Sequence, residues 1–158
     1  MAVTENTLIL ETTQGPVTIE MRPDLAPNHV ARIKELVREG FYDGIVFHRV
    51  IEGFMAQTGD GQHGNGTGGS SYPDLKAEFS QVPFQRGVVG MARKGGSNHS
   101  ANSQFFIMFE EGSFLNGQYT VIGEVIAGMD VVDKLKRGEP PANPDRIVRM
   151  QVAADAKA

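Results

Sequence analysis

The sequence predicts a mainly β fold in which seven or eight short strands form a barrel or a sandwich whose ends are covered by two helices. Short apolar runs rich in β-branched residues and phenylalanine alternate with turn residues along most of the chain. Only two stretches show helical spacing, and they lie far apart, as expected for helices that cover a sheet. No repeat or interdomain linker is visible, so we expect one domain over residues 1–158.

The N-terminal part predicts a hairpin followed by a helix. "TLILETTQGPVTIEMR" (7–22) contains two β-rich runs that flank the turn residues Gly15 and Pro16. In "APNHVARIKELVREG" (26–40), apolar residues recur at helical spacing, Pro27 lies near the start and Gly40 lies just beyond the end. This combination predicts one amphipathic helix.

The rest of the chain predicts strands, a glycine loop and a second helix. Further strands are predicted at "GIVFHRVI" (44–51), "GFMAQTG" (53–59), "GVVGMAR" (87–93), "SQFFIMF" (103–109), "YTVIGEVI" (119–126) and "DRIVRMQVA" (145–153). "MDVVDKLKRG" (129–138) predicts the second helix, and residues 59–71 predict a long surface loop. Because side chains alternate along a strand, Arg49 should share a face with Phe47, and His48 should point the other way.

Composition excludes several classes of function. The net charge of −4 and the pI of about 5.5 argue against nucleic acid as a partner, because no basic excess is present to displace counterions. The absence of cysteine excludes disulfides, a thiolate nucleophile and a cysteine-based zinc site. No run of apolar residues is long enough to span a membrane, and the N-terminus does not resemble a signal peptide. We therefore expect a cytoplasmic protein.

Two short motifs suggest other chemistry but lack its structural context. Gly64, Gly66 and Gly69 satisfy G-x-G-x-x-G, yet Pro73 follows where a dinucleotide-binding fold requires a helix to begin. Ser97 lies in a glycine-rich loop rather than in a strand-turn-helix elbow, which argues against a serine nucleophile. The four histidines are scattered without ligand spacing, so we predict no metal and no other cofactor.

Three blocks of this sequence resemble the cyclophilin family of peptidyl-prolyl cis/trans isomerases. The first, "FHRVIEGFMAQTGD" (47–60), is similar to the family pattern F-H-R-x-x-x-G-F-M-x-Q-x-G-D. The second is "GVVGMAR" (87–93), and the third is "NSQFFI" (102–107) followed by "FLNGQYTVIGEV" (114–125). Their order and spacing agree with the family from about residue 7 to residue 153.

The resemblance implies a closed eight-stranded antiparallel β-barrel with a helix at each end and a substrate groove on its outer face. It implies catalytic roles for Arg49, Phe54, Gln57 and Phe106. The implied substrate-binding residues, some of which complete an apolar proline pocket, are His48, Met55, Ala92, Arg93, Gln104, Phe114, Leu115 and Tyr119, and Phe47 is also placed in the groove. The expected partners are proline-containing polypeptides, and we expect a monomer.

The resemblance assigns Arg49 a role that follows from the chemistry of the X-Pro amide. Resonance gives this bond partial double-bond character and a rotational barrier of about 18–20 kcal/mol. In the twisted transition state the prolyl nitrogen regains a lone pair, so a donor aimed at that nitrogen stabilises the twisted form over both planar forms. A permanently charged guanidinium meets that requirement, and an apolar pocket adds desolvation of the amide.

Each assignment has a structural alternative. Without the resemblance, Arg49 is better explained as a structural ion pair or as a strand-face arginine. Core packing is the alternative for Phe54, Met55, Phe105, Phe106 and Ile107. Phe105 is predicted to be core because it points opposite to Phe106. At the level of function, the alternatives are a non-catalytic proline-peptide binding module or holdase on the same fold and, less favoured, a barrel that binds a small molecule in its interior.

Four positions depart from the pattern common among relatives. Arg93 and Lys94 stand where many relatives have Asn-Ala, which adds positive charge at the rim of the groove. Phe114 replaces a tryptophan common in eukaryotic members, and Tyr119 stands where those often have histidine. Because phenylalanine has no indole N–H, we expect cyclosporin-type ligands to bind with reduced affinity.

Overall fold

The computed structural model describes residues 6–61, 68–93, 100–138 and 141–155, except for the side chain of Phe114. Its strands are β1 Thr7–Thr12, β2 Gly15–Met21, β3 Arg49–Ile51, β4 Met55–Thr58, β5 Val88–Met91, β6 Phe105–Met108, β7 Val121–Ala127 and β8 Ile147–Val152. The helices are α1 Pro27–Arg38 and α2 Met129–Val132, and short 3-10 turns occupy Ser113–Leu115 and Ala153–Asp155.

The eight strands form one antiparallel sheet that curls into a barrel but does not fully close. Its order is β3-β4-β6-β5-β7-β2-β1-β8, so β3 and β8 are the two ends. Within the described residues, isolated bridges from Val46 to Arg146 and from Val50 to Gly138 lie at these ends, and backbone hydrogen bonds such as that of 2.8 Å from the Phe47 N–H to the Asp145 carbonyl join the flanking segments. The mainly β, eight-stranded prediction is confirmed, whereas the prediction of a closed barrel overstates the pairing at this seam.

The alternation of side chains divides the apolar residues into two clusters on opposite sides of the sheet. In β6, Phe105 and Ile107 belong to the inner cluster, whereas Phe106 and Met108 belong to the outer cluster. The prediction that Phe105 is core is confirmed. The inner cluster fills the barrel with bulky side chains, as small barrels require. The outer cluster lies between the sheet and the segments that cross over it.

Phe47 departs from the predicted alternation. The strand begins at Arg49 rather than at residue 44, and Val46 forms only an isolated bridge. Phe47 is fully buried in the inner cluster together with Val50, so it does not share a face with Arg49. The prediction that Phe47 lies in the groove is therefore wrong. The backbone leaves the regular strand conformation before Arg49, and that irregularity moves Phe47 to the inside.

The N-terminus of α1 receives its cap from a distant segment. Ala26 supplies no side-chain cap, and Pro27 lies at the first turn. The carboxylate of Glu78 instead accepts the backbone N–H groups of Asn28 at 3.1 Å and His29 at 2.9 Å. The buried ring of His29 adds a contact of 2.5 Å between its Nδ1 and Glu78 Oε1. These contacts hold the segment that contains Glu78, which crosses the outer face of the sheet, against the helix.

The two helices differ in how well they match their predictions. Helix α1 covers the predicted stretch, but α2 spans only four residues, and turns continue the chain from Asp133 to Leu135. Neither helix is long and apolar enough to cross a membrane, and no other helix occurs in the described part of the chain that could. Both helices bury apolar residues against the inner cluster, among them Ile33 and Val132.

Candidate active site

Arg49, Gln57, Phe106 and Gly90 form a row across four adjacent strands. The register pairs Arg49 in β3 with Gln57 in β4, Gln57 with Phe106 in β6, and Phe106 with Gly90 in β5. Residues paired across an antiparallel sheet point to the same face, so this row projects outward from the barrel. The sheet itself therefore sets the spacing between the arginine and the aromatic ring.

Gly90 creates the space in which the aromatic rings of the site pack. A Cβ at this position would lie 2.6 Å from Phe84 Cε2 and 2.8 Å from Phe106 Cζ, closer than carbon atoms approach. The two rings stack with their centroids 5.7 Å apart, and Phe106 meets Tyr119 edge to face at 5.8 Å. The absent side chain thus lets Phe84 support the ring of Phe106 from behind.

A small pocket of about 100 Å³ opens above this row. Its lining combines aliphatic and aromatic side chains with two arginines and one amide, and consists of Arg49, Phe54, Met55, Gln57, Ala92, Arg93, Phe106, Leu115 and Tyr119. Every residue of this lining was among the sequence-predicted site residues. An apolar concavity with a few convergent polar groups is the usual form of a ligand site.

A chain of hydrogen bonds runs from Arg49 into the neighbouring loop. Arg49 Nη1 donates to Gln57 Oε1 at 3.4 Å, and Gln57 Nε2 donates to Gln104 Oε1 at 2.8 Å. Gln104 Nε2 in turn donates to the carbonyl of Gly68 at 2.7 Å. Because Gln57 and Gln104 are each hydrogen-bonded through their amide nitrogens, the carbonyl oxygen of Gln57 faces Arg49 and accepts a hydrogen bond from its guanidinium.

A second, larger cavity of about 640 Å³ adjoins the pocket and shares Gln57, Ala92 and Arg93 with it. Gln104 lines this cavity rather than the smaller pocket. One wall is the segment 68–74, which Asn102 holds by accepting the Ser70 N–H at 2.8 Å and donating to the Tyr72 carbonyl at 2.8 Å. The two cavities adjoin one another along one groove, and more apolar side chains line the smaller cavity than the larger one.

His48 lies beneath the groove rather than in its lining. It is 4 % exposed, and neither of its ring nitrogens has a hydrogen-bond partner among the described residues. Burial lowers the pKa of His48, and the nearby carboxylate of Asp60 only partly opposes this effect. The uncharged imidazole therefore packs as a buried ring, and the structure does not bring it to the pocket.

Two further findings concern one predicted residue and two residues that were not predicted. Phe114, a predicted substrate-binding residue, lies outside the described side chains. Phe84 and Gly90 shape the pocket although sequence reasoning did not single them out. A glycine inside a strand often marks a place where another group comes close, and Gly90 is such a glycine.

The geometry places a charged donor beside a cavity that can enclose an apolar group. In the described part of the chain, no cluster of histidine and carboxylate side chains could hold a metal ion. A charged donor, Arg49, lies at the edge of a cavity otherwise lined largely by Phe54, Met55, Phe106 and Leu115. Such a site can enclose a small ring and direct hydrogen bonds at polar atoms attached to it.

Comparisons with known proteins agree with one another. The family model for "Cyclophilin type peptidyl-prolyl cis-trans isomerase/CLD" matches residues 7–152. A protein of Brucella suis named "Probable peptidyl-prolyl cis-trans isomerase" is 60% identical over 97% of this chain and 85% of its own length. Peptidyl-prolyl cis-trans isomerase B of Bacillus subtilis is 41% identical over 78% of this chain and 85% of its own.

Solved structures of similar proteins share the fold. Cyclophilin AquaCyp293 from Hirschia baltica matches with a TM-score of 0.91 and 32% identity, over 99% of this chain and 77% of that one. A cyclophilin-type peptidyl-prolyl cis-trans isomerase from Cryptosporidium parvum, crystallised in the presence of the dipeptide Ala-Pro, matches with a TM-score of 0.85 and 25% identity, over 92% and 98% of the two chains.

Proposed function

This chain belongs to the family of cyclophilin-type peptidyl-prolyl cis-trans isomerases, and from that premise we propose how its groove performs the reaction. The reaction is the interconversion of cis and trans X-Pro peptide bonds. We propose that the proline ring occupies the small pocket, with Arg49 beside the prolyl nitrogen. The observation that carries the proposal is the row in which Arg49 and Phe106 flank Gln57 on the outer face of the sheet.

The apolar lining supplies the first part of the mechanism. Phe54, Met55, Phe106 and Leu115 surround the place proposed for the ring and exclude water from the amide. Water hydrogen bonds favour the planar, charge-separated form of the amide, so their removal lowers the energy needed to twist it. Phe106 is held from behind by Phe84, and its ring therefore forms a rigid floor.

Arg49 supplies the second part. As the bond twists, the nitrogen becomes pyramidal and basic, and a guanidinium N–H can donate to its lone pair. This hydrogen bond exists only in the transition state, which is the condition for raising the rate rather than the affinity. The hydrogen bond to Gln57 orients the guanidinium in advance. Gln57 also has the position to bind a substrate carbonyl from the same row.

Substitution of Arg49 separates catalysis from binding. Arg49→Ala should lower the isomerisation rate about 100- to 1000-fold, the effect typical of removing one donor from a transition state. Peptide affinity should fall much less because the apolar pocket remains. Arg49→Lys keeps the charge but loses the planar fork, so it should also lose a large part of the rate. Exchange NMR on a short X-Pro peptide measures affinity and turnover in one sample.

Phe106→Ala is the matched control because it should reduce affinity and turnover together. It opens the floor of the pocket and admits water to the amide. Equal losses of affinity and turnover in Arg49→Ala would instead identify Arg49 as a substrate anchor. The same measurement tests the alternative of a non-catalytic proline-peptide binding module or holdase, which requires the apolar pocket but no donor at the nitrogen.

We also propose that the natural substrates are proline-containing polypeptides and that the chain acts as a cytoplasmic monomer. The open groove supports the first part, since it can accept a segment in the middle of a longer chain. Light scattering tests the monomer, and an association that depends on concentration at micromolar protein would contradict it. Fractionation of cells that express the protein tests the location.

A further inference from the structure

Arg93 stands on the ridge between the two cavities of the groove. It contributes to the lining of both, as do its neighbour Ala92 and Gln57. If the proline ring of a peptide occupies the small pocket and the peptide continues into the larger cavity, the residue next to the proline therefore lies beside Arg93. No other charged residue lines both cavities within the described part of the chain.

Two contacts fix the position of the Arg93 side chain. Its Nε donates to the carbonyl of Gln118 at 3.0 Å, and its guanidinium carbon lies 4.5 Å from the centroid of the Tyr119 ring. Tyr119 in turn packs edge to face on Phe106. Stacking on an aromatic ring holds the plane of the guanidinium in a defined orientation. The charge is thus fixed relative to the proline pocket rather than spread over many rotamers.

The charges of the groove favour an anionic neighbour to the proline. The charged residues of the two linings are Arg49, Arg93 and Asp74. Asp74 belongs only to the larger cavity, where its carboxylate accepts a hydrogen bond of 3.1 Å from Asn102 Nδ2. Near the ridge the two arginines therefore outweigh the single carboxylate. A planar guanidinium is well matched to a carboxylate, because the two can form parallel hydrogen bonds.

We infer that Arg93 is a specificity-determining residue that selects peptides with an acidic side chain next to the isomerised proline. This inference rests on the proposed function, since it requires the proline ring to occupy the pocket beside Arg49. It adds a class of substrate: Glu-Pro or Pro-Glu segments are turned over faster than their neutral or basic counterparts. Arg93 acts by attraction of the flanking side chain, not on the reacting amide.

The test compares ratios of kcat/KM for matched peptides. Two series carry Glu, Gln or Lys, one at the residue before proline and one at the residue after it. In the series whose variable residue passes Arg93, the wild-type protein should prefer Glu over Gln by about two- to fivefold, the range of a partly exposed ion pair. Arg93→Gln should bring that ratio to about one, and added salt should lower it in the wild type.

Asp74→Asn is the matched control because it changes one charge of the same groove. The ratio of Glu to Gln should stay at least as high in this variant. If Arg93 served only to support Tyr119, Arg93→Gln would slow all peptides by one factor and leave the ratio unchanged, which would overturn the inference. A wild-type ratio of one in both series, or a collapse of the ratio in Asp74→Asn, would overturn it too.

Failure of the inference is distinguishable from failure of the proposed function. If neutral peptides are isomerised but charge has no effect, only the role of Arg93 is refuted. If no peptide in either series is isomerised faster than in buffer, the proposed function is refuted as well.

Discussion

Gly90→Ala is the sharpest test of how the pocket is built, because it adds one methyl group behind Phe106 and changes no polar atom. The new carbon would lie 2.6 Å from the ring of Phe84 and 2.8 Å from the ring of Phe106. Carbon atoms in optimal contact are at least about 3.5 Å apart, so the rings must retreat by roughly 0.7 to 0.9 Å. The backbone of Gly90 lies between paired strands and cannot yield easily.

The expected loss of stability follows from this overlap. Overpacking of a close-packed cluster typically costs about 1–3 kcal/mol. For a chain of this size, about 2–4 °C of melting temperature corresponds to each kcal/mol, so Gly90→Ala should melt about 2 to 12 °C lower. Thermal unfolding followed by circular dichroism measures this change. The variant should remain folded at 25 °C, which allows its activity to be assayed.

We also expect Gly90→Ala to lower the catalytic activity. Phe106 forms the floor of the pocket, and misplacement of a binding surface by about 1 Å can lower a rate by up to about 100-fold. We expect a fall of about ten- to 100-fold in kcat/KM for an X-Pro peptide, measured by exchange NMR. Double replacement with Phe84→Leu removes the closest contact atoms, so it should restore part of the melting temperature.

Two results would refute this reasoning. An unchanged melting temperature would mean that the rings are not packed as tightly as their contacts with Gly90 require. A lower melting temperature with wild-type kcat/KM would mean that the position of the Phe106 ring does not control catalysis.

Three other predictions concern pH, a ligand and metal ions. Burial lowers the pKa of both His29 and His48, so the unfolded chain binds more protons than the folded one below the unfolded pKa of about 6.5. Stability should therefore be constant above that pH and fall on acidification, by up to about 1.4 kcal/mol per pH unit for each histidine, and His48→Gln should reduce the slope. Phe114→Trp should raise the affinity for a cyclosporin-type ligand about tenfold or more, by pairing an acceptor whose burial costs about 1–3 kcal/mol, and identical titration curves for both proteins would contradict this. Dialysis against EDTA should leave the isomerisation rate unchanged because the reaction breaks no covalent bond, and loss of activity restored by a metal would disprove the mechanism.

Local pattern was sufficient to predict most of the strands, whereas the lining of the pocket was predicted only by the resemblance of the three blocks. Alternation is visible in the sequence itself, so it correctly placed Phe105 and Phe106 on opposite faces of the sheet. The resemblance of the three blocks then grouped residues from β3, β4 and β6 that are far apart in the chain. The side chains that line the small pocket all come from those blocks.

The features that sequence could not predict depend on contacts between distant segments. Phe47 points inward because the backbone is irregular before Arg49. No residue type in "FHR" indicates that irregularity. The polar cavity depends on Asn102 binding the segment 68–74, a pairing set only by the fold. A glycine inside a strand can mark a bend or a place where another group comes close, and the sequence alone does not distinguish the two. The position of Phe84 shows that an aromatic ring comes close to Gly90.

The capping of α1 by Glu78 also has a consequence for the order in which the protein forms during synthesis. A helix of 12 residues is marginal in isolation, and the N-cap residue of this one, Ala26, supplies no side-chain cap. On the ribosome, residues 27–38 emerge about fifty positions before the carboxylate that completes their first turn. The nascent helix therefore gains its cap only after Glu78 has been made, and Glu78 belongs to the segment that covers the outer face. The last stabilisation of the first helix and the covering of the surface on which the protein will act thus depend on the same stretch of chain.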